Sequence, residues 1–157
     1  MNYANYNSES SLVNSIGILM EPDISQQYQN YPFQEEVYNL IGACMEVHKT
    51  LGQGFLESVY HEALSIELGL RNIPFESNKL LHVYYKEFQL KKTFNADIYA
   101  YDQIVLELKA VDSNIDDHRP QVINYLSATK HGMAVLVNFG TPSLQYRRII
   151  FSKYLKF

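Results

Sequence analysis

Ile104-Val105-Leu106-Glu107-Leu108-Lys109-Ala110 reads as a buried strand into which a carboxylate and an ammonium have been set. Residues two apart in a strand share a face, so Glu107 and Lys109 point one way while Leu106 and Leu108 point the other. Burying either charge costs on the order of several kcal/mol unless it is paired or holds a metal. A divalent cation held between Glu107 and Asp97, ten residues earlier in the chain, would offset that cost.

The preceding strand pattern, Thr93–Tyr101, makes a demand on register. Its alternation puts Asn95, Asp97, Tyr99 and Tyr101 on one face, and Ala96, Ile98 and Ala100 on the other, under a helix. A two-residue turn at Asp102-Gln103 would set Asp97 opposite Leu108 and separate the carboxylates. A three-residue loop, Tyr101-Asp102-Gln103, sets Asp97 opposite Glu107. We expect the second register, or a bulge of the same effect. Taken alone, the Asp and Glu-x-Lys pattern reads equally well as an ordinary hairpin with solvated charges.

Working outward, Val37, Leu40, Ile41, Cys44, Val47 and Leu51 recur at helical spacing from Gln34 to Leu51, and Gly52 and Gly54 break the helix. A second helix is expected over Leu56–Leu70, with Leu56, Val59, Tyr60, Ala63, Leu64 and Leu68 on its inner face, ended by Asn72-Ile73-Pro74. Strands follow at Leu80–Tyr85, Thr93–Tyr101 and Ile104–Val111. Asp116 or Asp117 would cap a helix with Pro120 in its first turn and Gln121, Val122, Tyr125 and Leu126 along it, ending near His131-Gly132. Met133–Phe139 is an almost wholly apolar run, the mark of a central strand covered on both faces, and Arg147–Phe151 is a last strand. Two helices, three strands, a helix and two strands make an α/β domain on a mixed sheet.

The 157 residues suffice for one domain. Residues 1–33, rich in Asn, Ser, Gln and Tyr, read as a poorly ordered polar extension, and 34–157 as the domain. A single cysteine, Cys44, excludes a disulfide framework and fits a reducing cytoplasm. No apolar stretch reaches the length of a membrane span. The net charge of −4 argues at first against a nucleic-acid partner. Residues 1–48, however, hold six acids and no Lys or Arg, so 49–157 carries a balance of +2 and permits phosphate binding. Lys91, Lys92, Arg147, Arg148, Lys153 and Lys156 are candidate phosphate contacts, and read equally as solvated charges at strand edges and on the tail. Some of the thirteen tyrosines could stack bases, though more of them should be core or rim packing.

Two further clusters mean little alone. Glu57 and Tyr60, in Gly54-Phe55-Leu56-Glu57-Ser58-Val59-Tyr60, read as a first-turn acid and a core aromatic. Gln121 and Tyr125, four apart on one helical face, read as a half-exposed polar face. Together, Val47–Tyr60, Asn-Ala-Asp at 95–97, Glu-Leu-Lys-Ala at 107–110, Gln-Val-Ile-Asn-Tyr-Leu at 121–126 and Val-Asn-Phe-Gly at 137–140 resemble the GxxExxY protein family of the PD-(D/E)XK nuclease superfamily. Asn95 and Gln53 depart from that family's usual residues without removing a candidate ligand. His118 matches a frequent family position and reads as a structural histidine.

The resemblance implies a restriction-endonuclease-like αβββαβ core with a mixed central sheet. It implies site residues Glu57, Asp97, Glu107 and Lys109, with Gln121 and Tyr125 as the helical motif of the RecB-like branch. The oxygen ligands, Glu57, Asp97, Glu107 and the Leu108 carbonyl, suit Mg²⁺ or Mn²⁺ and not zinc. The expected function is metal-dependent hydrolysis of nucleic-acid phosphodiesters, DNA before RNA, with a homodimer or protein partner to extend the grip. The alternative is a non-catalytic nucleic-acid- or protein-binding module that has kept the fold. The complete charged set disfavours it.

Overall fold

Residues 104–108 and 133–138 are all buried, and they lie side by side as the parallel pair of a six-stranded sheet. The computed structural model describes residues 18–20, backbone only, and 31–155. In chain order the elements are β1 (Ile18–Met20), α1 (Gln34–Leu51), α2 (Glu57–Leu70), β2 (Phe75–Tyr85), β3 (Phe88–Ala100), β4 (Ile104–Lys109), α3 (Arg119–Thr129), β5 (Met133–Asn138) and β6 (Gln145–Phe151). The sheet order is β1-β6-β5-β4-β3-β2, and every pair except β4–β5 is antiparallel. A parallel pair needs a crossover, which α3 supplies. The mixed sheet with helices is the restriction-endonuclease-like architecture expected. Residues 1–17 and 21–30 of the expected extension, and Lys156, lie outside the described residues. Residues 18–20 add an edge strand to β6 that their sequence does not announce.

One apolar cluster fills each face of the sheet. Val37, Leu40, Cys44 and Val47 of α1 and Tyr60, Leu64 and Leu68 of α2 meet Ile98, Leu106, Leu108, Val135 and Val137 on one side. Val122 and Leu126 of α3 meet Tyr99, Val105, Ala134 and Leu136 on the other. Each fully buried Leu or Val contributes roughly 1.5–3 kcal/mol. The α1 limits are those the periodicity predicts: Glu35 and Glu36 open it, Lys49 sits in its last turn, and Gly52 (φ 72°) ends it in the left-handed region. Burial pushes the Cys44 thiol up to about 12, so it behaves as a small apolar side chain.

Several expectations need correction. Leu56 and Val59 are 77% and 36% exposed, because the first turn of α2 overhangs the sheet and only from Tyr60 onward does the helix meet the core. β2 and β3 are longer than their apolar patterns, since the added residues pair through the backbone while their side chains stay largely in solvent. Asn114 caps the helical entry, its Oδ1 accepting Asp116 N–H at 3.0 Å, and a 3₁₀ turn over Ile115–His118 leads into α3. Asp116 instead accepts from Arg147 Nε at 3.0 Å, tying that turn to β6.

The alternation expected for Thr93–Tyr101 also fails at two positions: Tyr101, in the turn at φ 53°, packs against the α1/α2-side cluster and not with Tyr99, and Ala96 departs as well. Ala96 packs in the α3-side cluster and Ile98 in the α1/α2-side cluster, which an unbroken strand forbids. The pairs Ser77↔Ile98 and Lys79↔Ala96 flank an unpaired Asn78 and Asp97, and Asn78 is left-handed at φ 53°. Both strands change face together, so the register survives while the side chains switch sides.

Beyond β4, the chain is held by Asn138. Its Oδ1 accepts the N–H of Val111 and of Gly140, each at 3.0 Å, and its Nδ2 donates to Val111 O at 2.9 Å. Gly140 packs so closely that a Cβ there would lie 2.3 Å from Val111 N and O. Gly140→Ala should therefore destabilise the fold by about 1–3 kcal/mol, read as a lower urea midpoint with unchanged m value. An unaltered midpoint would mean this close approach is absent in solution.

Candidate active site

The β3–β4 hairpin takes the three-residue register. Ile98↔Leu106, Tyr99↔Val105 and Ala100↔Ile104 pair around Tyr101-Asp102-Gln103, with Gln103 N–H donating to Ala100 O at 3.1 Å. Continued by one step, this register sets Asp97 opposite Glu107, but the ladder ends first. The Asp97 Oδ2 instead accepts Leu108 N–H at 2.8 Å, replacing the ladder bond lost where the strands part. Leu108 thus turns its N–H toward β3, and strand geometry turns its C=O to the same side.

The alternation predicted for β4 holds: Leu106 and Leu108 join the α1/α2-side cluster, and Val105, of the same phase as Glu107 and Lys109, joins the α3 side. Glu107 is 7% exposed, and its Oε1 is buried without a hydrogen-bond partner among the described residues. Burial, then the Asp97 carboxylate, push the Glu107 carboxyl up to about 8, against a backbone hydrogen bond from Asp97 and the pull of Lys109. Partial burial and then Asp97 also raise the Glu57 carboxyl, and Lys109 and His61 draw it back. Asp97 and Lys109 therefore act on both glutamates, and the four side chains form one electrostatic set.

Their supports come from three directions. Tyr60 Oη donates to Gly52 O at 2.5 Å and accepts Phe55 N–H at 3.3 Å, which shapes the loop that delivers Glu57 to the first turn of α2. The Tyr60 ring stacks on Phe139 with centroids 4.7 Å apart. His61, four residues after Glu57, places Nε2 2.9 Å from Asp97 O. A carbonyl only accepts, so that nitrogen carries the proton, and Ser77 Oγ at 3.1 Å is a second acceptor for it. The sequence reading missed His61 and Asn138. A histidine one turn past Glu57 and an amide in an otherwise apolar central strand were the available signals.

Gln121 and Tyr125 pair with each other: Gln121 Nε2 donates to Tyr125 Oη at 2.6 Å, and Tyr125 stacks on Phe94 with centroids 3.6 Å apart. They occupy α3, on the sheet side toward which Glu107 points. The Nε2 of His118 is buried without a hydrogen-bond partner among the described residues, so the satisfied structural role expected for it is not what this ring nitrogen has there. Two expected phosphate contacts are engaged elsewhere. Arg147 is held by Asp116, and Arg148 is 7% exposed, its guanidinium 4.0 Å from the Tyr31 ring centroid. Successive residues of β6 face opposite ways, so the two arginines cannot form one patch. Lys91 and Lys92 are exposed on the outer half of β3.

A model of the PD-(D/E)XK nuclease superfamily matches residues 34–149. The chain belongs to this superfamily. The match runs from the start of α1 into β6 and takes in every candidate site residue. No curated protein and no solved structure matches.

Membership makes the fit to a divalent cation worth testing on the donors themselves. Among the described residues no three His, Cys, Asp or Glu side chains gather closely enough to hold an ion. The orphaned Oε1 of Glu107 and the second oxygen of Asp97 nevertheless supply two hard donors, beside the Leu108 carbonyl. Mg²⁺ commonly keeps several waters, so a small protein donor set is compatible with it.

The raised Glu107 carboxyl has a consequence for stability. Its value of about 8 in the fold lies above the ordinary 4.5, so the folded protein holds this proton more tightly than the unfolded chain does. Without divalent cations, this group's contribution is most favourable at low pH and is lost as pH rises from about 4.5 to about 8. Glu107→Gln should flatten that decline and be the more stable protein near pH 8.5, by urea denaturation in chelator. Parallel stability profiles for the two proteins would refute it.

Proposed function

We propose that this superfamily member is a Mg²⁺- or Mn²⁺-dependent nuclease hydrolysing phosphodiester bonds, of DNA before RNA. Within the superfamily we assign it to the GxxExxY group of the RecB-like branch. The observation that carries the reading is Glu107: a carboxylate almost removed from water, with one oxygen unpartnered, beside a second carboxylate. An apolar fold gains nothing from such a group, whereas a hard cation would satisfy it.

Asp97, Glu107 and the Leu108 carbonyl would hold the cation, with Glu57 at the rim. When bound, it supplies Lewis acidity toward a phosphodiester oxygen. Lys109, on the same strand face as Glu107, would orient the attacking water or offset charge gathering on phosphorus. Gln121 would hold the scissile phosphate through its amide, and Tyr125, braced by Phe94, keeps Gln121 in place. The absence of a three-carboxylate cluster among the described residues favours one rival, a nucleic-acid-binding module that retains the fold without the chemistry.

Incubation with single-stranded and duplex DNA and RNA, with Mg²⁺ or Mn²⁺, separates the two. Cleavage should be abolished by chelator and fall at least about 100-fold in Glu107→Ala and in Lys109→Ala. Metal-dependent binding without cleavage would establish the rival. Cleavage that survives Glu107→Ala would remove this site from the reaction.

A further inference from the structure

On the α3 side of the sheet, a cleft of about 710 Å³ opens between β2 and the last turn of the chain, walled by Lys79, Tyr84, Lys130, Lys153 and Tyr154 among others. A neighbouring cleft of about 450 Å³ shares Tyr84, Lys130, Lys153 and Tyr154 and adds Lys86. Four shared wall residues make the two a single groove. Cations sit beside phenols in its wall: Lys130 lies 4.8 Å from the Tyr84 ring centroid and Lys153 5.3 Å from that of Tyr154, while Lys79 lies 4.3 Å from the ring of the core residue Tyr99. Two acids approach these lysines. Glu76 pairs with Lys79, and Glu87, its side chain 93% exposed, lies 3.7 Å from Lys130. Lys153 and Lys86 have no ion pair among the described residues.

The backbone adds an independent observation. Lys130 ends α3 at φ 56° and Lys86 turns the β2–β3 hairpin at φ 53°, both in the left-handed region where glycine is the less costly residue. Two lysines thus stand at glycine-favouring positions beside one groove. Local folding would be easier without their side chains, and what those side chains add is positive charge to the groove.

We infer that this groove binds a single-stranded stretch of nucleic acid, leading it toward the site. The inference rests on the nuclease reading for the ligand's identity. Unpaired nucleotides offer a phosphate and an open base face in each unit, the two groups that a lysine beside a tyrosine receives. A duplex keeps its base faces stacked inside, where Tyr84 and Tyr154 cannot reach them. The groove's inner end is close to the chemistry, since Lys79 pairs in register with Ala96, the residue before Asp97.

The test is fluorescence anisotropy of the full chain with labelled oligothymidylate and with a duplex of equal length, in chelator. Wild type should bind the single strand more tightly. The double variant Lys86→Gly, Lys130→Gly should keep or raise the melting temperature, because both positions suit glycine. It should nevertheless lose about tenfold or more in single-strand affinity, with a salt slope shallower by about 1.4 for two lost phosphate contacts. Hydrolysis of the small diester bis(p-nitrophenyl) phosphate with Mn²⁺ is followed in parallel and should be unchanged by the double variant. Loss of single-strand binding without any diester hydrolysis would uphold the groove and remove the nuclease reading. Undiminished binding by the double variant, or equal binding of single strand and duplex, would overturn the groove whether or not cleavage occurs.

Discussion

Where β3 stops pairing with β4, the Asp97 carboxylate takes over the hydrogen bond that the ladder gives up, accepting Leu108 N–H at 2.8 Å. The strands can then part without leaving a buried donor unsatisfied. The same bond fixes Asp97 beside Glu107, whose carboxyl it influences. On the other side of Asp97, the unpaired step with Asn78 in the left-handed region rotates both strands, and His61 takes up the Asp97 carbonyl. An ordinary, fully paired hairpin would have the same register without this carboxylate bond.

Asn138 and Tyr60 hold the surround of this site rigid. Asn138 satisfies both backbone groups of Val111 just past β4. Tyr60, completely buried, ties the loop before α2 to the core through Gly52 O and the Phe139 ring. Phe139 N–H in turn donates to Lys109 O at 2.8 Å, so the Glu57 loop and the Lys109 strand share one anchor. Glu107 Oε1, like His118 Nε2, is buried without a hydrogen-bond partner among the described residues.

Much of this is legible in the residue order. Gln34–Leu51, the second helix to within one residue, the buried run from Met133 and the hairpin register could be read because each depends on periodicity or turn length, which are local quantities. The facing of Ala96 against Ile98 could not, since it follows from a distortion shared by two strands. Arg147 and Arg148 look identical in sequence, yet one meets Asp116 and the other Tyr31, on opposite faces. Asp116 looks like a helix cap and serves as an anchor for β6, because Asn114 reaches the free N–H first.

From residue order alone came the α/β class, the pairing of carboxylate and ammonium on one strand, and the superfamily. Those rest on spacing along a chain whose strand and helix periods are set by backbone geometry. The three-dimensional arrangement settled which charges share a field, which polar atoms are left over, and which lysines border one groove. Each of these depends on distances between segments remote in the chain, set by how two apolar clusters close on opposite faces of a sheet.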